Sequence, residues 1–243
     1  AELTHINYLI RGENGLSDYQ ILALPGGFSY GDDIASGKIF ANELKCKLAE
    51  GLRKFVEAGK LIIGICNGFQ ILVKSGLLPG TRPYGLGRCA LLSSNGELEQ
   101  EASLIINDSG KFEDRWVYLK SSGRCVWTKN IPGMIYLPVA HGEGKFMVKD
   151  RPVFNRIKAN KQIVFQYCDA QGKLSGYPDN PNGALENIAG ICDETGRILG
   201  LMPHPERHIA ALQHPRWFSM KSKKRGDGLQ IFKNGVEYCK KHL

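Results

Sequence analysis

Lys60-Leu61-Ile62-Ile63-Gly64-Ile65-Cys66-Asn67-Gly68-Phe69-Gln70-Ile71-Leu72 is the stretch that decides the fold. Leu61 to Ile65 is a short apolar run, predicted to form a buried strand. A helical pattern starts near Gly68, with Phe69, Leu72 and Val73 on one apolar face. Cys66 stands at the junction with a glycine two residues to either side, where a β-carbon would obstruct a tight strand-to-helix turn. Such a turn lifts its apical side chain out of the sheet, where a substrate can reach it. The following helix aims its free N–H groups and positive dipole end at the sulfur, and is expected to lower the thiol pKa. The competing reading is a small buried cysteine in a packed strand.

Outward from this elbow, the chain alternates strands and helices. Tyr19 to Leu24 is a predicted strand ending in Pro25-Gly26-Gly27, and 37–58 is predicted as one helix with Ile39, Phe40, Leu44, Leu48, Leu52 and Phe55 at helical spacing. A βαβα series implies a mostly parallel sheet with covering helices. Beyond Cys89 the runs shorten (89–92, 104–106, 116–119, 125–127) and read as extra strands beside the main sheet. Ile163–Cys168 is a further strand, 188–192 and 198–202 a hairpin turning at Gly196, 177–183 a loop, and 228–241 a closing helix.

The 243 residues, 42% hydrophobic, suffice for one substantial core, taken as one domain over 1–243. No apolar run approaches the ~20 residues that cross a bilayer, and no signal peptide is evident, so no membrane association is expected. The seven cysteines are scattered and never paired as C-x-x-C, which points to a reducing cytoplasm rather than a disulfide scaffold or structural zinc. The net charge of +8 has its densest cluster at Lys221-Ser222-Lys223-Lys224-Arg225. No nucleic-acid-binding module accompanies it, so it reads as a solvated loop or a face for an acidic partner.

Three other segments carry chemistry. In Met202-Pro203-His204-Pro205-Glu206 the prolines are expected to hold the chain extended and to exclude a helix. Residues i and i+2 then share a side, so Glu206 can orient the His204 imidazole as the base a thiol nucleophile needs. A surface loop is the plain alternative, and His204-x-Glu206-x-His208 also admits a two-His, one-carboxylate metal site, although nothing else in the chain calls for a metal. Leu24-Pro25-Gly26-Gly27 can present backbone N–H groups to an anion. Gly27 N–H and Asn67 N–H are candidate donors to an oxyanion formed at Cys66, against the alternative of a structural turn. His141-Gly142-Glu143-Gly144 reads equally as a pocket-lining loop or a simple turn.

Gly64-x-Cys66-x-Gly68-x-Gln70 with the later His204-Pro205-Glu206 resembles the class I (triad) glutamine amidotransferases. Five segments in order narrow this further: Pro25-Gly26-Gly27-Phe28-Ser29-Tyr30-Gly31-Asp32, Gly64 to Gln70, Phe112-Glu113-x-Arg115-Trp116-Val117, Ala140-His141-Gly142-Glu143-Gly144 and Gly200 to Glu206. Together they resemble the glutaminase subunits of phosphoribosylformylglycinamidine synthases. The resemblance implies a flavodoxin-like α/β fold, mostly parallel, with helices on both faces. It implies that Cys66 attacks the amide of L-glutamine to form a thioester, that His204 shuttles the proton, and that Glu206 orients His204. Gly26, Gln70, His141 and Gly142 match positions that line the glutamine pocket. The ammonia is implied to pass to a large synthetase subunit holding ATP and magnesium, with a small accessory subunit. This chain itself would carry no cofactor or metal.

The chain opens at Ala1-Glu2-Leu3-Thr4-His5-Ile6-Asn7-Tyr8, so the family's usual first β–α unit, ~30 residues, is expected to be lacking; its strand belongs to the interior of this fold's sheet, so exposed apolar faces and unpaired backbone are expected. Residues 97–106 read as an insertion. The alternatives are a noncatalytic scaffold of the same fold and a triad amidotransferase serving another synthetase.

Overall fold

The computed structural model describes residues 1–12, 15–80, 100–122, 124–219 and 225–243. The strand expected at 89–92, the start of the 97–106 insertion and most of the 221–225 basic cluster lie outside them.

Among the described residues, nine strands form two sheets: β1 (Ile21–Leu24), β2 (Leu61–Ile65), β3 (Ala102–Ile106), β4 (Glu113–Ser121), β5 (Met134–His141), β6 (Glu143–Val148), β7 (Ile163–Cys168), β8 (Ile188–Cys192) and β9 (Ile198–Leu201). Seven lie in one sheet in the order β1-β2-β9-β8-β7-β4-β5, and β3 pairs with β6 in a second. The helices are α1 (Ile6–Arg11), α2 (Lys38–Lys47), α3 (Ala49–Glu57), α4 (Asn67–Lys74), α5 (Arg151–Ala159) and α6 (Leu229–His242).

The α/β class holds, but among the described residues parallel pairing is confined to β1, β2 and β9. The remaining pairs of the large sheet are antiparallel, so the sheet is mixed rather than mostly parallel. For one of these pairs the cause is local: the short turn through Gly196 (φ 72°) joins β8 to β9, and a tight turn can only reverse the chain. β2, β8 and β9 are buried at every residue, as expected for strands covered on both faces. Among the described residues β1 pairs only with β2 and forms the sheet edge.

α4 lies between the two sheets. Its Phe69 stacks on Phe146 of β6 with centroids 6.2 Å apart, and both rings are fully buried. On the other side, a Cβ at Gly200 of β9 would stand 2.1 Å from the Phe69 ring. The apolar face expected from Phe69, Leu72 and Val73 is therefore the one that fills the core. Residues 102–106, counted as an insertion, supply β3, whose Leu104 is buried; β3 packs against α4.

Several elements differ from the sequence reading, among them α1, where that reading has no helix. The predicted 37–58 helix bends at Leu48 (φ −120°, ψ 7°). No glycine or proline marks the bend, and backbone bonds from Leu48 N–H to Leu44 and from Leu52 N–H to Leu48 carry the amphipathic run across it. The strand expected at 125–127 is a 3₁₀ turn, Val126–Thr128, because Trp127 turns inward: its indole N–H donates to Arg197 O at 2.9 Å. The loop expected around His141 consists of two strands, β5 and β6, with only Gly142 between them as the chain crosses from one sheet to the other. α5 departs from the sequence reading, which has no helix there; Asp150 caps it by accepting from Val153 N–H at 2.9 Å.

Candidate active site

Cys66 sits at the C-terminal end of β2 in a left-handed conformation, φ 52° and ψ −106°, and α4 begins at the next residue. A non-glycine residue held there is strained, and such strain persists where the surroundings over-determine it. The flanking glycines explain how. A Cβ at Gly68 would lie 2.0 Å from Leu24 O, and one at Gly64 would lie 2.5 Å from Gly68 O. The end of β1, the end of β2 and the first turn of α4 approach too closely for side chains, and Cys66 is left at the apex. Its N–H donates to Leu201 O at 2.8 Å, and its carbonyl accepts from Gln70 N–H at 3.1 Å.

His204 follows β9, the strand next to β2. Its N–H donates to Pro138 O at 2.8 Å, and the residue is 2% exposed. Nδ1 lies 2.6 Å from Glu206 Oε1, whereas Nε2 is buried with no hydrogen-bond partner. With Nδ1–H donated to the carboxylate, Nε2 carries the lone pair. The expected extended run is only partly present: His204 is extended, but Pro205 opens a 3₁₀ turn to His208. Proline's fixed φ suits the first position of such a turn. His208 does not join the pair; its Nδ1 is 2.9 Å from Tyr136 O and its ring is edge-on to Trp116 at 5.0 Å.

Gly26 brings the two halves together. A Cβ placed on it would meet His204 Cε1 at 2.8 Å and Cys66 Cβ at 3.4 Å, so the imidazole and the Cys66 β-carbon border the same glycine. The cysteine S–H points to Ala140 O at 3.6 Å. The sulfur is not activated in the way the dipole argument expects. Burial pushes the thiol up to about 11 from 9.0; the Asn67 N–H pulls the other way and the Glu206 charge adds to the rise. Desolvation of the thiolate outweighs the helix end, so the resting group is a thiol.

The remaining sequence-selected residues surround this centre. Gly27 has φ +134°, and nothing lies within 4 Å of where its Cβ would be. Gln70 is buried and spans two segments: its Oε1 accepts from Asn67 Nδ2 at 3.0 Å, and its Nε2 donates to Glu143 O at 2.6 Å. His141, at the end of β5, is 3% exposed, with Nδ1 3.1 Å from Asn107 Oδ1 and Nε2 buried without a partner. Burial, then the nearby His204, lowers its pKa to about 4, so the ring is neutral at physiological pH. A Cβ on Gly142 would stand 3.9 Å from the Phe112 ring.

Sequence reasoning missed the supports. Asn107 Oδ1 also accepts from Gly144 N–H at 3.0 Å, and Asn107 Nδ2 donates to His141 O at 2.8 Å. Asn182 Nδ2 donates to Gly144 O at 2.8 Å and to the Tyr167 hydroxyl at 3.2 Å. These asparagines lie in turn-forming sequence, and only the buried Asn-Gly contacts reveal their part.

A cysteine at a strand-to-helix elbow facing a carboxylate-bound histidine defines a class, and the chain belongs to it: residues 1–239 match the CobB/CobQ-like glutamine amidotransferase domain. Among curated proteins it is similar to the phosphoribosylformylglycinamidine synthase subunit PurQ of Methanococcus maripaludis strain S2, 46% identical over 99% of this chain and 88% of the relative. The subunit of the same name from Dehalococcoides mccartyi is 47% identical with the same coverage. Among solved structures it resembles PurLQS from Thermotoga maritima, with a TM-score of 0.66 and 33% identity over 93% of this chain and 82% of that one. No described helix is long and apolar enough to cross a membrane.

Proposed function

We propose that the chain is the glutaminase subunit of a phosphoribosylformylglycinamidine synthase, formed as one domain over 1–243, and that Cys66, His204 and Glu206 are its catalytic residues. The observation that carries this reading is the shared glycine: Gly26 stands between the Cys66 elbow and the His204 ring, whose other nitrogen is held by Glu206.

The chemistry follows from the protonation states. Cys66 rests as a thiol, so attack on the glutamine carboxamide needs a base, and the free Nε2 of His204 is the lone pair at hand. As sulfur bonds to carbon, His204 takes the thiol proton, and Glu206 stabilises the imidazolium. The carbonyl oxygen becomes an oxyanion, to which Gly27 N–H and Asn67 N–H donate. Collapse breaks the C–N bond, His204 gives its proton to the leaving nitrogen, and ammonia departs. Water activated by His204 then cleaves the γ-glutamyl thioester, releasing glutamate and restoring the thiol. Gly26, Gln70, His141 and Gly142 line the glutamine pocket. Gln70 does so as a brace, since both ends of its amide are already engaged. His141 contributes a neutral acceptor rather than a charge.

Ammonia leaves for an ATP- and magnesium-dependent synthetase subunit, with a small accessory subunit completing the assembly; the named PurLQS neighbour supports this reading. This chain holds no cofactor of its own and works in the cytoplasm during purine biosynthesis. The test is glutamine-dependent and ammonia-dependent turnover of the reconstituted complex with Cys66→Ala. Loss of the first with retention of the second supports the assignment; retention of both refutes it and leaves the scaffold reading.

A further inference from the structure

Asp32 lies in none of the roles above, yet it ties the glycine loop to the elbow. Three consecutive residues there, Tyr30, Gly31 and Asp32, have φ of 54°, 67° and 54°. Two of them are not glycine, so the conformation needs support from outside the loop. Asp32 supplies it. Its Oδ1 accepts from Gly37 N–H at 3.2 Å, where α2 begins, and from Asn67 Nδ2 at 3.3 Å. Asn67 answers across the same gap: its Oδ1 accepts from Ser29 N–H at 3.4 Å. The Asn67 side chain thus grips the loop by two bonds of opposite sense, two and five residues beyond Gly27. Through Gln70 the chain of bonds continues to Glu143 O, and Lys74 closes it by donating to Ser36 O at 2.5 Å.

We infer that Asp32 is a positioning residue for the oxyanion site, fixing the Gly27 loop and Asn67 relative to one another so that their two N–H groups converge on one point beside Cys66. The inference rests on the proposed roles of Gly27 and Asn67. The energetic logic is that donors from separate segments help the transition state only if their spacing is set in advance. An isolated Gly-Gly turn would be free to rotate its peptide; the Asp32–Asn67–Ser29 ring removes that freedom. Asp32 also places a negative charge near the sulfur, which opposes thiolate formation. Its removal is therefore expected to favour the thiolate, so a loss of activity cannot be blamed on a less reactive nucleophile.

The experiment uses the complete synthetase complex carrying Asp32→Ala, Asp32→Asn, Asn67→Ala or the Asp32→Ala/Asn67→Ala pair. Glutamine kcat and KM, the rate of Cys66 alkylation by iodoacetamide and the melting temperature are measured for each. Asp32→Ala is expected to lower kcat about 10- to 100-fold, with KM and melting nearly unchanged and alkylation no slower. Asp32→Asn keeps an acceptor oxygen for Gly37 N–H and Asn67 Nδ2 and is expected to recover most of the rate. The double variant is expected to be no slower than the worse single one, because both break the same tie. An effect confined to KM, additive losses, an Asp32→Asn as slow as Asp32→Ala, or an unaffected Asp32→Ala overturns the inference. Cys66→Ala run in parallel separates the two levels. If it is active, the catalytic reading itself fails; if it is inactive while Asp32→Ala is normal, only the role of Asp32 fails.

Discussion

Glu206 holds His204 by one nitrogen, Oε1 to Nδ1 at 2.6 Å, and leaves the other nitrogen buried and unbonded. The pair is two residues apart and spans the entry to a 3₁₀ turn begun by Pro205. A carboxylate in this place fixes both the tautomer and the ring plane. Glu206→Gln, which keeps the size but removes the charge, is expected to lower kcat for glutamine about 100-fold or more, with KM little changed. Steady-state glutaminase assays check the split; a change in KM alone would assign Glu206 to substrate binding.

The buried thiol gives a pH signature. Cys66 is held up to about 11, so it is protonated below that value in the resting protein. Its alkylation by iodoacetamide is expected to keep rising with pH beyond 9, the ordinary value for the group. A plateau already reached near neutral pH would mean that the helix end, not burial, governs the sulfur.

His141 links the site to stability. Its folded-state pKa is lowered from 6.5 to about 4. Between those values the unfolded chain binds a proton that the folded chain refuses, so stability is full above 6.5 and declines as pH falls towards 4. The full decline attributable to this ring is about 3 kcal/mol. His141→Gln is expected to flatten denaturant-measured stability over that window, and an unchanged slope would contradict the buried neutral ring.

Two glycines separate activity from folding. Gly26→Ala puts a methyl 2.8 Å from His204 Cε1, displacing the base, and is expected to cost about 100-fold in rate with a modest change in melting. Gly68→Ala drives a methyl to 2.0 Å from the Leu24 carbonyl, where neither backbone can yield. It is expected to destabilise the protein by about 3 kcal/mol or more, seen as a fall in soluble yield and melting temperature.

Local pattern carried the reading where the cause was local. The Leu61–Ile65 run, the flanking glycines and the 69/72/73 face specify the elbow within a dozen residues, and His204 and Glu206 are sequence neighbours. What escaped depends on contacts between distant segments. The bend at Leu48 has no breaking residue, and β6 is defined by its partner β3 rather than by its own glycine-rich start. The sign of the Cys66 shift depends on how much structure covers the sulfur. Asp32, Asn107 and Asn182 look like ordinary turn residues until their side chains are seen bonded to the elbow and to the Ala140–Gly144 segment.

The central claim is that Cys66 carries the glutamyl group. Rapid acid quenching of the complex during glutamine turnover, followed by mass spectrometry of the peptide bearing Cys66, tests it most directly. A γ-glutamyl adduct on Cys66, reversible by hydroxylamine and absent in Cys66→Ala, is the expected result. Sustained glutamate release with no adduct on Cys66, and with Cys66→Ala equally active, would contradict it.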